Sequence, residues 1–581
     1  ALQLLRDFNE IDMALANPDQ LFSHINEIHA IENWNPSGNE LTETQKNYLD
    51  FWKSLGSLYK TFNEHLNTKK IAYSGKAYKE VALHVEQLFS EFPPNSICFI
   101  GLNALTPAEE KIVYHLIRRE VASAFWDADA YYTSSNDQEA GYFLRKHFAK
   151  FIGKFDEPVN RLTTEAKKIQ ICGVSGNTAQ ARYAGQYLQK VLKSSRPEQI
   201  AIVLPDEGLL FPLLESLPKE VHSLNVTMGY PVSSLRLYNF MVAVLELFHY
   251  RSNTGWPATT LTNLISFNYF EIIDNSNQTS DSQWLVEQLR KNKAPWVSDS
   301  ALQPIKKSKG PIGTLLNCNN SIELLEYLDD TLNNLQQYFD SKEGFDASIE
   351  KESTFLFKKI TRRLKKLSAN AEQLYGFNNV LSIFKIVAQS EKINFKGEPL
   401  AGIQIMGMLE TRLLEFKHVI MLSMNEGIIP SKSRQSSFIP FDVRKTFGLN
   451  TQKENDAIFA YHFYRLFQGT EDALFVYNTQ TDQLNSDEKS RFLLQLQFEL
   501  SVKNSNIAID DEIISAPYNA HDSNALGVNN HPMLQERLMM KLKSGISPSS
   551  INRFLQCPLD FYYKFIVGLR ESQHDRDFLD S

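Results

Sequence analysis

The stretch that most constrains the fold is 402–430, which contains two short and dense apolar runs at 403–405 and 419–422. Runs of this kind are typical of strands that are buried on both faces of a sheet. A charged connection separates the two runs, and an Asn-Glu-Gly turn at 425–427 follows the second run. This order predicts an α/β domain with a loop at the end of its sheet, where such folds place their ligands.

Two other parts of the chain show the same alternation of strand and helix patterns. In 96–132 an apolar run is followed by a helix that starts at Thr106-Pro107 and then by a second strand. In 160–250 the pattern is strand, helix, strand and helix, joined by short loops. Because this alternation favours parallel pairing, we expect an α/β fold with parallel sheets.

Helical periodicity dominates 1–93 and most of 251–395. We interpret 1–93 as a helical accessory domain whose aromatic residues form its core. One helix of the second region carries a run of six cations at 358–366. A solvated helix face is the more ordinary interpretation of such a run, and contact with nucleic-acid phosphates is the alternative.

Composition excludes several classes of protein. The net charge of −8 argues against a surface that binds polyanions throughout, although it allows a local basic groove. The sequence has no apolar run long enough to span a membrane and no signal peptide. Its four cysteines are widely scattered and form no CxxC pair, which fits the reducing cytoplasm. The chain opens in the middle of an amphipathic helix pattern, so we expect a fragment.

The central stretch also resembles a known motif. Leu414-Glu415-Phe416, the strand after it and the Asn-Glu-Gly turn before Pro430 resemble the fifth conserved motif of UvrD-type superfamily 1 helicases. The resemblance implies two RecA-like motor-type domains with helical insertion domains. The polar positions of that motif are substituted, since its threonine falls on Gly407, its histidine on Leu409 and its lysine on Arg412.

Further motor positions of this family are also changed. The carboxylate pair that holds magnesium falls on Gly101 and Leu102, and the phosphate-binding arginine of the sixth motif falls on Gly469. Asp127 resembles the aspartate of the third motif, although an acid at a strand end is as often a helix cap or a loop residue. No G-x-x-x-x-G-K-[ST] loop occurs, and in the family that loop would precede Ala1. The resemblance thus implies a helicase fold without a working motor.

The segment 546–571 carries the most specific resemblance. Its Ser-Pro-Ser helix start, Cys557-Pro558 and the aromatic helix after them resemble the start of the PD-(D/E)XK nuclease domain of AddB-like and RecB-like DNA-repair proteins. In many members a cysteine at the position of Cys557 is an iron–sulfur ligand, but no later cysteine exists here, so a buried helix cysteine is the favoured interpretation. The nuclease residues of the family would follow Ser581, so we expect no nuclease activity from this chain.

The sequence is therefore divided into seven parts. They are a helical accessory domain (1–93), part of a first RecA-like domain (94–160), the first half of a second RecA-like domain (161–250), a helical insertion (251–400), the second half of that domain (401–483), an irregular linker (484–545) and the start of a PD-(D/E)XK domain (546–581).

The family resemblance implies a DNA-binding scaffold of an AddB-type helicase–nuclease in double-strand-break repair and recombination. Single- or double-stranded DNA and an AddA-like motor subunit are the expected partners, and magnesium and ATP would concern the longer parent protein. The DNA-binding candidates are the cations that flank the central loop, namely Arg412, Lys417, Arg434, Arg444 and Lys445. Two alternatives stay open, an active ATP-dependent helicase whose phosphate loop precedes the chain, and a protein-interaction scaffold that touches no DNA.

Overall fold

The computed structural model describes residues 2–28, 43–151, 157–252, 255–277, 281–291, 294–308, 310–370, 376–393, 401–431, 437–480, 488–514 and 532–569. The chain forms two compact units, Ala1–Ile514 and Ser515–Ser581. All strands of the described residues belong to the larger unit. In chain order they are β1 (Ile97–Ile100), β2 (Ala122–Phe125), β3 (Lys167–Val174), β4 (Ile200–Val203), β5 (Leu224–Val226), β6 (Tyr230–Pro231), β7 (Trp256–Pro257), β8 (Trp296–Val297), β9 (Lys392–Ile393), β10 (Ile403–Met406), β11 (His418–Met421), β12 (Asp472–Asn478) and β13 (Ile507–Ile514).

A seven-stranded parallel sheet organises the larger unit. Its strand order is β13-β3-β12-β11-β4-β10-β5, and each neighbouring pair is parallel. The two apolar runs of the central stretch form β10 and β11, and all four residues of each strand are buried. The predicted α/β fold with a parallel sheet is confirmed.

Two separate parts of the chain build this sheet. β3, β4 and β5 come from 161–250, whereas β10, β11 and β12 come from 401–483. The two sets interleave, since β4 pairs with both β10 and β11. Residues 251–393 lie between them in sequence and are mainly helical where the structure describes them. The sheet is thus one structure interrupted by a helical insertion.

Apolar cores cover both faces of the sheet. Ile200 and Ile202 of β4 belong to one hydrophobic cluster, and Ala201 and Val203 belong to a second one. Because successive side chains of a strand point to opposite faces, this alternation places one cluster on each side of the sheet. It also explains why the strand sequences are apolar without interruption.

The helices are listed here in chain order. They are α1 (Leu2–Met13), α2 (Pro18–Ile28), α3 (Glu43–Lys69), α4 (Ser74–Leu83), α5 (Val85–Leu88), α6 (Pro107–Arg118), α7 (Ala130–Thr133), α8 (Tyr142–Lys150), α9 (Arg161–Thr164), α10 (Asn177–Val191), α11 (Leu210–Ser216), α12 (Arg236–His249), α13 (Ala258–Ile265), α14 (Tyr269–Asn277), α15 (Asp281–Lys291), α16 (Gln303–Lys306), α17 (Pro311–Leu316), α18 (Ser321–Asp340), α19 (Phe345–Asn370), α20 (Phe377–Ser390), α21 (Phe441–Thr446), α22 (Gln452–Gln468), α23 (Arg491–Gln495), α24 (Ser501–Lys503), α25 (Pro532–Ser544), α26 (Pro548–Gln556) and α27 (Pro558–Phe561). No helix within these ranges combines the length and the apolar character that crossing a bilayer demands.

Helices α6 and α22 begin with capping boxes. Thr106 caps α6, where its hydroxyl accepts from the Glu109 amide at 3.4 Å and the Glu109 carboxylate accepts from the Thr106 amide at 2.9 Å. Thr451 and Glu454 form the corresponding box at the start of α22. These reciprocal bonds satisfy amide groups that have no partner inside the helix. The helix start predicted at Thr106-Pro107 is confirmed.

The predicted irregular linker at 484–545 is wrong for part of its length. Residues 491–503 are helical, and β13 is an edge strand that pairs with β3 along its whole length. β13 contains the acidic run Asp510-Asp511-Glu512 and is largely exposed. Because an edge strand exposes much of its surface, it lacks the continuous apolar run by which the inner strands are recognised in a sequence.

The smaller unit is helical where the structure describes it. It contains α25, α26 and α27, followed by a π-helical turn at Tyr562–Val567. Ser547 caps α26 by accepting a hydrogen bond from the Ser550 amide at 3.3 Å, as its Ser-Pro-Ser sequence predicts. Cys557 lies between α26 and α27 and is exposed, so the interpretation as a buried helix cysteine is wrong.

Candidate nucleic-acid interface

The positions of the family's metal-binding acid pair lie next to the connection between β10 and β11. Gly101 adopts a left-handed conformation with φ +65°, and a Cβ atom placed there would lie 2.3 Å from Cδ2 of Leu413 in that connection. Neither Gly101 nor Leu102 has a side-chain oxygen. Across the described ranges no group of three or more His, Cys, Asp or Glu side chains is arranged to hold a metal ion. The residues at this corner therefore do not fit magnesium.

Asp127 lies at the end of β2 and forms an ion pair with Arg465 of α22. The Tyr461 hydroxyl donates to the Asp127 backbone carbonyl at 3.1 Å and reinforces this contact. The helix-capping role belongs instead to Asp129, whose carboxylate accepts from the amides of Tyr131 and Arg161, each at 2.9 Å. Asp127 is thus a partner in a contact between two distant parts of the chain.

Arg465 is the cation that the sequence comparison missed. It precedes Gly469 by four residues, which is about one helical turn. Its Nη2 lies 3.7 Å from Oε1 of Glu415, and a Cβ atom at Gly469 would lie 3.1 Å from the Glu415 side chain. Arg161 donates to the same Glu415 oxygen at 2.9 Å. The signal in the sequence was a single arginine in the largely aromatic second half of α22.

Gly407 and Leu409, the other two substituted motor positions, belong to a tight turn. The amide of Gly407 donates to the Glu410 carboxylate at 3.1 Å and thereby caps the 3₁₀ helix Met408–Glu410. Leu409 is exposed and apolar. Neither side chain can bond a nucleotide or a phosphate, so this turn serves local structure.

The cations predicted to bind DNA have different environments. Lys417 is paired with Glu471 at 2.8 Å. Arg444 is nearly buried, is paired with Glu10 and donates to the Asn450 carbonyl at 2.9 Å, so its charge is used inside the protein. Arg412 is exposed and has no ion pair within the described ranges. Arg434 lies outside the described residues.

The basic run on α19 is largely paired with the neighbouring helix α18. Arg362 contacts Asp329 at 3.1 Å, and Lys365 contacts Glu326 at 2.8 Å. Lys358 donates to Gln336 at 2.6 Å. Because these three groups contact α18, the structure favours neither a freely solvated face nor contact with phosphates for them.

Lys445, the remaining candidate, lies in a cleft of about 490 Å³. The cleft is bounded by the start of α6, by α8, by α21 and by the start of α22. Two further lysines line it, Lys146 of α8 and Lys453 of α22. All three lysines are exposed, and no carboxylate of the described residues pairs with any of them. In a chain of net charge −8 this is a local concentration of unpaired positive charge.

Both carboxylates of the cleft are already engaged. Glu110 forms an ion pair with Lys150. Glu454 accepts hydrogen bonds from the Thr451 amide at 2.9 Å and from the Tyr142 hydroxyl at 2.8 Å. Burial by itself raises the pKa of Glu454, but the bonds from Thr451 and Tyr142 outweigh it, and the pKa is lowered. Glu454 therefore stays ionised and carries one negative charge against the three lysines.

Aromatic rings lie among these cations. The ammonium group of Lys146 lies 4.0 Å from the centroid of the Tyr142 ring, and that of Lys453 lies 5.2 Å from it. Phe441 lines the cleft and is 62% exposed. Exposed rings that alternate with cations are the combination that binds single-stranded nucleic acid, because bases stack on rings while phosphates contact cations.

His147 forms part of the wall of the cleft and is 2% exposed. Its Nε2 lies 2.5 Å from the carbonyl oxygen of Asn103, so Nε2 carries the hydrogen and donates. Within the described residues its Nδ1 has no hydrogen-bond partner. Burial, and secondarily Lys146, lower the pKa of His147, which is therefore neutral at pH 7. Nδ1 is itself buried, so it is not open to a ligand in the cleft.

Neither a scan of the chain against models of known protein families nor a search of curated proteins gives a match. The function of the chain is therefore inferred from the geometry of the cleft and of its surroundings.

Proposed function

We propose that this chain is the helicase-like DNA-binding scaffold of an AddB-like helicase–nuclease, and that it holds single-stranded DNA at the cleft between α6, α8, α21 and α22. The observation that carries the proposal is the convergence of three exposed lysines, none of which pairs with a carboxylate of the described residues, with the exposed ring of Phe441. Lys146, Lys445 and Lys453 supply the charge that phosphates require, and Phe441 supplies a stacking surface.

The interleaved sheet supports the family assignment. A parallel sheet that is interrupted by a helical insertion is what a second RecA-like domain with an inserted helical domain would give. We assign the two-stranded parallel sheet β1–β2 with α6 to part of a first RecA-like domain. The proposed setting is cytoplasmic double-strand-break repair, with an AddA-like motor subunit as the partner.

The residues at the motor positions support a scaffold rather than a motor. Gly101 and Leu102 have no carboxylate with which to hold a metal ion, and Arg465 is occupied by Asp127 and Glu415. The single Cys557 does not fit an iron–sulfur cluster.

The test is the binding of a fluorescent single-stranded oligonucleotide to the whole chain at low salt. We expect binding by the unaltered chain and at least tenfold weaker binding after Lys146→Ala, Lys445→Ala and Lys453→Ala are combined. Lys417→Ala is the matched control, because that lysine is exposed but is paired with Glu471. Absence of binding by the unaltered chain at low salt would refute the proposal and favour a protein-interaction scaffold.

A Phe441→Ala variant separates stacking from charge at the same cleft. Loss of a stacked base typically costs about 1–3 kcal/mol. We therefore expect weaker binding with an unchanged dependence on salt concentration, because the number of phosphate contacts stays the same.

A further inference from the structure

The cleft is small in comparison with a strand of DNA. Its volume of about 490 Å³ falls in the range of pockets that hold one small ligand. About one nucleotide unit fits such a space. The end of a strand is the part that presents one such unit for insertion.

The charge of the cleft matches a terminal phosphate. Lys146, Lys445 and Lys453 contribute three positive charges, and Glu454 contributes one negative charge. The pair of Glu110 with Lys150 is neutral as a whole. The resulting balance of +2 complements a phosphomonoester, which carries about −1.5 to −2 at pH 7. An internal phosphodiester carries a single negative charge and would leave part of this balance unmatched.

Two helix starts add to this preference. The first turns of α6 and α22 both line the cleft, and each helix is longer than eight residues. The amino-terminal end of a helix carries partial positive charge and favours anions. The capping carboxylates Glu109 and Glu454 are bonded to their own caps and offset part of this effect, so the lysines remain the main source of attraction.

We propose that this cleft binds the phosphorylated end of a DNA strand through Lys146, Lys445 and Lys453. This inference rests on the proposed function, because it specifies which part of the DNA the same cleft receives. The ligand is a terminal phosphomonoester attached to a nucleotide, with the ring of Phe441 available to the base of that nucleotide.

The experiment compares three oligonucleotides of identical sequence that carry a 5′-phosphate, a 3′-phosphate or no terminal phosphate. Each competes for the whole chain against a strand labelled at an internal base, so that both ends stay free. We expect one of the two phosphorylated forms to bind at least tenfold more tightly than the unphosphorylated form. The preference should vanish in the triple lysine variant and persist in the Lys417→Ala control.

Equal affinities for all three oligonucleotides would overturn the inference while leaving the proposed function intact. Failure of all three to bind would refute both. Inorganic phosphate and a free mononucleotide serve as further competitors. If either displaces the labelled strand at the same concentration as the phosphorylated oligonucleotide does, the cleft would be assigned to a small phosphate compound instead.

Discussion

The ion pair between Asp127 and Arg465 joins the end of β2 to α22, and its removal has a calculable cost. Arg465 is 5% exposed, so its guanidinium group has little access to water. Replacing Arg465 by methionine keeps much of the packing volume but leaves Asp127 and Glu415 without this cation. Removal of one partner of a buried pair typically costs about 3–5 kcal/mol. Because the Asp127 side chain retains 24% exposure, we expect the lower end of this range, about 3 kcal/mol.

A double-mutant cycle in urea measures this coupling. Asp127→Asn should cost less than Arg465→Met, because Arg465 keeps Glu415 at 3.7 Å after the first change. In the combined variant we expect at least about 1 kcal/mol to be recovered relative to the sum of the two single effects, as is usual for residues in contact. Additivity within about 0.5 kcal/mol would refute a coupled pair. Lys417→Ala, which breaks an exposed pair, should change stability by less than about 1 kcal/mol.

Three further outcomes are expected. In a salt titration of single-stranded DNA binding, each phosphate contact contributes about 0.7 to the slope of log K against log salt concentration. Loss of Lys146, Lys445 and Lys453 together should therefore lower the magnitude of that slope by about 2. An unchanged slope would contradict the role of these lysines. Gly101→Ala should lower the thermal midpoint of unfolding, because residue 101 has a positive φ and the new Cβ atom would lie 2.3 Å from Leu413. An unchanged midpoint would contradict this close packing. Burial and, secondarily, Arg412 lower the pKa of His462 to about 4. The unfolded chain therefore binds more protons than the folded chain between about pH 6.5 and 4. Because of this difference, the free energy of unfolding should fall as the pH drops through that window. Denaturant unfolding at both ends of the window, compared with His462→Gln, measures this loss.

The inner strands were predictable because burial on both faces leaves a continuous apolar run. β10 and β11 meet that condition, and the sequence places them correctly. β13 is at the edge of the sheet and carries Asp510-Asp511-Glu512, so its pairing with β3 depends on a neighbour more than 300 residues away. Local pattern alone does not contain that information.

The candidate site was predictable only in part, because it is assembled from distant segments. Lys445 was singled out from its position near the central loop, whereas Lys146 and Lys453 become its neighbours only through the packing of α8 beside α22. Arg444, the adjacent residue, looked equivalent in sequence but is paired with Glu10. The difference between these two adjacent cations depends on tertiary contacts, which the sequence does not display.

The interleaving of the sheet also determines how long some strands lack their partners while the chain is being synthesised. β4 lies between β10 and β11, and His418 of β11 follows Val203 of β4 by about 215 positions. At about 5–20 residues per second, a ribosome needs roughly 10 to 40 s to produce that interval. Throughout this time both hydrogen-bonding edges of an apolar strand lack their final partners, which is the condition under which nascent chains aggregate. Production of this protein should therefore depend strongly on chaperones that shield the nascent chain until β10 and β11 emerge.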